Sequence, residues 1–223
     1  MVEHVSEQKS EPASIFADGV SMVKARASFA EEAYDDMGRA SELMERTVEA
    51  CALTRTAAAA ALGCGRHEAG GAIKNLWLSG MIDRYNVVSR DVNGSHAQFR
   101  LWVARGCQPP ADAREACRLA VISLFYGHAK IEMPGFGWRL LRRKGRPALA
   151  EVSFVNQDGE SVKWLIDAPR MGEEPVPEAD IAIFPTLEDA ERKTPAGKRY
   201  AWDLAVMSAR PDELRNVVKL KKR

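Results

Sequence analysis

The sequence predicts an α+β fold from three features. Between Leu53 and Trp102 the order is an Ala-rich helix, a glycine turn, a second periodic helix and a hairpin. After Pro109-Pro110 a strongly apolar helix begins at Asp112. From Phe136 onward the hydrophobic period falls from 3.6 to 2, giving several strands on one mixed sheet before a last helix.

Residues 1–34 read as an N-terminal arm. MVEHVSEQKSEP is polar and without periodicity, and a weak helical pattern follows from Ser14 to Tyr34 through Ile15, Phe16, Val20, Met22, Val23 and Phe29. The next unit spans 35–105. Asp35-Asp36 opens a helix whose one face carries Met37, Ala40, Leu43, Met44, Thr47, Val48 and Cys51, with the acids at the positive end of its dipole. Thr54 is placed to cap the Ala-rich run, and Gly63-Cys64-Gly65 breaks it, since glycine enters left-handed conformations without steric cost. Ala69, Ala72, Ile73, Leu76 and Trp77 then share one helical face, and Gly80 ends that helix. Met81, Ile82 and Tyr85 lead into a strand, Asn93-Gly94 signals a tight hairpin, and Phe99-Arg100-Leu101-Trp102 returns.

This order resembles a winged helix-turn-helix. The resemblance implies a second helix in the major groove of duplex DNA and a hairpin riding on the backbone or minor groove. It places Arg66, His67, Glu68, Lys74 and Asn75 towards DNA, with Arg90, His96 and Arg100 on or beside the wing. Arg suits guanine edges, Asn suits adenine, and Lys74 suits a phosphate. The alternative for such a unit is protein binding alone. Gly70-Gly71 weakens the second helix, and either close backbone approach or fraying accounts for it.

Residues 106–111 read as a linker, and 112–223 as an α+β domain. Its first helix buries Ala116, Leu119, Ala120, Ile122, Leu124 and Phe125 and is expected to end near Gly127, leaving His128 at the surface. Strands are expected at Trp138–Leu141, Ala148–Asn156, Val162–Asp167, Asp180–Phe184 and Arg199–Met207. The polar stretch TLEDAERKTPAG separates the last two, and a final helix starts at Ser208 or Asp212. The turn carrying Arg142, Arg143, Lys144 and Arg146, with the Lys219–Arg223 tail, offers sequence-blind phosphate affinity.

Asp180 heads one expected strand and Asp203 lies inside the next, with Glu151 on an earlier strand, and carboxylates at the ends of adjacent strands can hold Mg²⁺ for phosphodiester cleavage. With the Pro-x-x-Asp-apolar strand and the acid on the next strand, this half resembles the replication-relaxation proteins. Those are similar to plasmid mobilisation proteins with a restriction-endonuclease-like domain. That resemblance implies an acid followed by Glu/Asp-x-Lys. Asp203-Leu204-Ala205 has Ala in place of Lys, with Lys163 or Lys198 as distant substitutes, so the expectation is a nuclease-like fold that binds without cutting.

A net charge of +1 gives no global pull on nucleic acid, so attraction must be local. The four cysteines lack metal-ligand spacing and are expected as reduced thiols. No apolar run is long enough for a bilayer, and the N-terminus is no signal peptide, so a cytoplasmic protein without membrane contact is expected. Phosphate-loop, serine-elbow and zinc-protease motifs are missing from the sequence. The expected partner is double-stranded DNA, without a cofactor, in a mobilisation, relaxosome or replication assembly. The alternatives are a homodimeric transcriptional regulator and a Mg²⁺-dependent nickase using Asp180 and Asp203.

Overall fold

Local signals place most elements of the N-terminal half. In the computed structural model, which describes residues 13–26, 37–210 and 213–222, helix α1 covers Met37–Ala50 and the short strand β2 covers Ala52–Leu53. The Thr54 hydroxyl accepts from the Ala57 amide at 3.2 Å and starts α2, Arg55–Ala61. Gly63, at φ +59°, turns the chain into α3, Arg66–Leu78. The hairpin β3, Ile82–Arg90, and β4, His96–Ala104, is antiparallel from Ile82↔Ala104 to Arg90↔His96. Its loop is five residues, 91–95, and not a two-residue turn. The Asp91 carboxylate accepts from the amides of Asn93 and Ser95 and so supports a wider loop, while Gly94 takes φ +84°.

Residues 18–25 correct the expected N-terminal helix. They form strand β1, paired antiparallel with β3, so the first sheet has the order β1–β3–β4–β2. The β-branched Val20 and Val23 suit an edge strand, and the pairing energy of a free β3 edge outweighs a weak helical period. Residues 14–17, expected in that helix, contain a turn, while 27–34 and Asp35-Asp36 lie outside the described residues.

Helix α4, Ala113–Glu132, starts at the Asp112 cap, whose carboxylate accepts from the Glu115 amide at 2.8 Å. It is buried from Ala116 to Ala129 and joins both halves in one apolar core. Gly127 does not end this helix. A Cβ there would stand 2.6 Å from the Ala57 carbonyl oxygen, so Gly127 lets α4 and the Ala-rich α2 pack closely. Gly127→Ala should therefore destabilise the protein by about 1–2 kcal/mol, overpacking exceeding the propensity gain of about 1 kcal/mol. A urea titration reads this directly, and an unchanged midpoint would refute the close approach.

His128 is likewise not at the surface. It is 4% exposed, and burial lowers its pKa below the ordinary 6.5 despite the neighbouring Val206 backbone. The charged imidazole is the disfavoured form, so stability is full above about pH 6.5 and falls as pH drops towards the lower folded-state pKa. Melting curves of His128→Leu should lack that part of the acid-side decline; an identical pH dependence would remove His128 from the account.

The second sheet has the order β10–β9–β8–β7–β6–β5. Strands β5, Gly137–Leu141, β6, Leu149–Val155, and β7, Ser161–Asp167, form an antiparallel meander. β8, Ile181–Phe184, and β9, Arg199–Trp202, add parallel to β7, making the sheet mixed. The stretch expected as polar connector contains α5, Leu187–Lys193, capped by Thr186 and carrying acids in its first turn and bases in its last. The expected strand to Met207 stops at Trp202, where α6, Asp203–Ser208, begins. The expected last helix is one turn, α7, Leu214–Val217, followed by β10, Lys219–Leu220. Among the described residues no helix is long and apolar enough to cross a membrane.

A buried polar clasp ties the chain's beginning to this sheet. Arg170, fully buried, donates to the carbonyls of Phe16 at 3.0 Å, Ala168 at 3.0 Å and Ile183 at 2.9 Å, and to Asp203 at 2.8 Å. Asp203 also accepts from the Ser14 hydroxyl. Beside it, Arg118 pairs with Asp167 and Glu173, and Asp167 accepts from the Val176 amide at 2.8 Å.

Candidate nucleic-acid interface

The packing of α3 decides which of its side chains can meet a ligand. Ala69, Ala72, Ile73 and Leu76 are buried. That leaves an outward face of His67, Gly70, Gly71 and Lys74, with Arg66 exposed at the helix start. The two glycines lie on this open face, and a Cβ on Gly71 would meet no atom within 4 Å. The face is therefore flat at its centre, where backbone can approach a partner. Gly70 leaves room for Arg55, whose Cδ would lie 3.5 Å from a Cβ at that position.

Arg55 was not singled out by sequence, although its place directly after the Thr54 cap puts it at the mouth of a polar groove. That groove, about 670 Å³, runs between the N-termini of α2 and α3 and the β3–β4 ribbon. Strand alternation and the pairing Asn86↔Arg100 bring Asn86, Gln98 and Arg100 to one ribbon face. These meet Arg55, Thr56 and Arg66 across the groove. Arg55, Arg66 and Arg100 are exposed, and no ion pair neutralises them among the described residues. Three guanidinium groups beside amide and hydroxyl donors make a site suited to phosphate oxygens.

The other expected contacts separate. His96 is exposed at the wing base, whereas Arg90 is paired with Asp18 at 3.0 Å. Burial works against the Asp18 charge, yet the hydrogen bonds of Arg114 and Arg90 hold its pKa below the ordinary value. Glu68 caps its own helix, accepting from the Gly65 amide at 3.3 Å. Asn75 is 5% exposed and faces α1, so the expected adenine contact is corrected; position 75 belongs to the packed side of the 3.6-residue repeat. Trp77 packs under Arg84, which lies 3.9 Å from the ring centroid.

In the β5–β6 loop the basic cluster is divided. Arg142 is 10% exposed and tied to Glu115 at 2.7 Å and to the carbonyls of Gln108 and Pro109, so it serves to hold the 106–111 connector and is corrected as a DNA contact. Arg143, Lys144 and Arg146 are exposed, and of the acids lining the same cavity Glu115 and Glu173 are already paired with Arg142 and Arg118, so these three keep a net positive charge.

The carboxylates do not converge. With Ile181 opposite Arg199 and Phe184 opposite Trp202, Asp180 stands before the start of β8 and Asp203 beyond the end of β9. Five strand rises, about 16 Å, separate those levels. Asp180 accepts from the Leu165 amide at 2.9 Å and lies 3.7 Å from Lys198. Glu151 pairs with Arg139 at 3.2 Å and Lys163 at 4.0 Å. Asp203 is locked to buried Arg170. The expectation of a shared Mg²⁺ site on Asp180 and Asp203 is thus overturned, because their register places them at opposite ends of the parallel pair. No set of three His, Cys, Asp or Glu side chains suited to a metal occurs among the described residues, and the four cysteines are free thiols. The chain matches no family model, no curated protein and no solved structure.

Proposed function

We propose that residues 37–104 form a winged helix that binds double-stranded DNA, with the second half acting as a non-catalytic scaffold. The observation that carries this reading is the groove in which Arg55, Arg66 and Arg100, free of acidic partners among the described residues, face one another between α3 and the β3–β4 ribbon. A phosphate backbone laid there brings the flat outward face of α3 to the major groove, with Arg66 and His67 at its leading end. The wing loop, 91–95, then borders the adjacent backbone or minor groove. The scaffold reading is supported by Asp203 and Asp167, which are committed to buried ion pairs with Arg170 and Arg118. The resemblance to mobilisation proteins is the basis for placing such binding in a mobilisation or replication assembly.

Selection of bound fragments from a random duplex library tests the proposal. Enrichment of one short motif that is lost in Arg66→Ala would support α3 in the major groove. Retention without any motif would confine the protein to backbone contacts, and no retention would reject the proposal.

A further inference from the structure

The flank of α3 turned away from the outward face does not close fully on α1. A cleft of about 590 Å³ lies between the two helices, with Met81 beyond the end of α3. Val48 is 51% exposed and Met81 44% exposed, so two of the large apolar side chains left open to solvent border the same hollow. Met44 and Leu76 supply the rest of its apolar wall. Its uncharged polar groups are the side chains of Ser41, Asn75 and Ser79, and the Ser79 hydroxyl already donates to the Leu76 carbonyl at 3.0 Å. Glu45 and Glu49 also line it, no Lys or Arg does, and Glu49 is engaged by the Tyr126 hydroxyl at 2.7 Å and Lys130 at 2.9 Å.

Size and charge choose the occupant. Clefts of a few hundred cubic ångström with apolar walls and few polar groups suit small molecules. Ten residues line this one, whereas a stable protein interface engages about 20–30 on each side. The carboxylates, with no cation beside them in the lining, exclude an anion. We infer that the cleft between α1 and α3 binds a small, mainly apolar molecule without negative charge. Met44, Val48, Leu76 and Met81 give it van der Waals contact. The inference stands on this cleft alone and does not require that the opposite flank bind DNA.

The test titrates the full chain with N-phenyl-1-naphthylamine, an uncharged fluorophore that brightens in apolar surroundings. Saturable binding of one probe per chain is expected. Val48→Glu and Met81→Glu, at half-exposed positions that tolerate substitution, should each weaken it about tenfold or more. Val23→Glu, on the β1 edge at 66% exposure, should leave it unchanged. Lack of saturation in the unmodified chain, affinity in the cleft variants unchanged from the unmodified chain, or equal loss in Val23→Glu would overturn the inference. So would sedimentation showing a dimer that Val48→Glu dissolves, since a second copy would then cover the cleft.

Discussion

Replacing Asp203 by alanine is expected to cost about 3–5 kcal/mol of folding stability, because it leaves the Arg170 guanidinium buried without its counter-charge. Arg170 and Asp203 are both fully buried, and the pair is closed by the Ser14 hydroxyl and three backbone carbonyls. Against the usual total of about 5–15 kcal/mol, the loss is a large share, and a guanidinium titration should show the midpoint falling steeply. The double variant Arg170→Met, Asp203→Leu should recover only part of it, since it removes the unpaired charge but leaves the carbonyls of Phe16, Ala168 and Ile183 without their donor. A catalytic Asp203 would give the opposite pattern, an intact fold with loss of metal-dependent cleavage. Unchanged stability in Asp203→Ala would refute the clasp.

The second large effect concerns binding. Changing Arg55, Arg66 and Arg100 together to alanine should lower affinity for any duplex at least about 10²-fold, since each charge-assisted contact contributes about 1.5 kcal/mol or more. The slope of log affinity against log salt should flatten by about 2.7, from about 0.9 per phosphate contact released. The three side chains are exposed and have no acidic partner among the described residues, so stability should shift by no more than about 0.5 kcal/mol. Affinity and slope both measured unchanged would move the interface away from the groove.

Elements with local signals were legible in the sequence. The Thr54 cap, the Gly63 turn and the 3.6-residue face of Ala69, Ile73 and Leu76 all sit where local chemistry puts them. The β3–β4 and β6–β7 loops use one device, an Asp or Asn whose side chain accepts from amides two and four residues on, at Asp91 and at Asn156. What tertiary contact decides was not legible. Gly127 reads as a helix stop but is a helix–helix contact, and residues 18–25 become a strand only because β3 offers an edge. Asp203 reads as an inward acid on a strand, yet its partner Arg170 lies 33 residues away in sequence, in a loop. In the candidate interface, Arg66, His67 and Arg100 were found from helix and strand position. Arg55 was missed because its relation to Gly70 and the ribbon exists only in three dimensions. The signal at Thr186, a cap followed by early acids and late bases, was present and marks α5.

We propose the α3–ribbon groove as the seat of a DNA duplex backbone. The most direct test is a fluorescence anisotropy titration of the unmodified chain with a labelled duplex and with its separated strands, at two salt concentrations. The account predicts tighter binding to the duplex than to either strand, and affinity that falls as salt rises. Equal binding to duplex and single strands, or no binding to either at low salt, would contradict it.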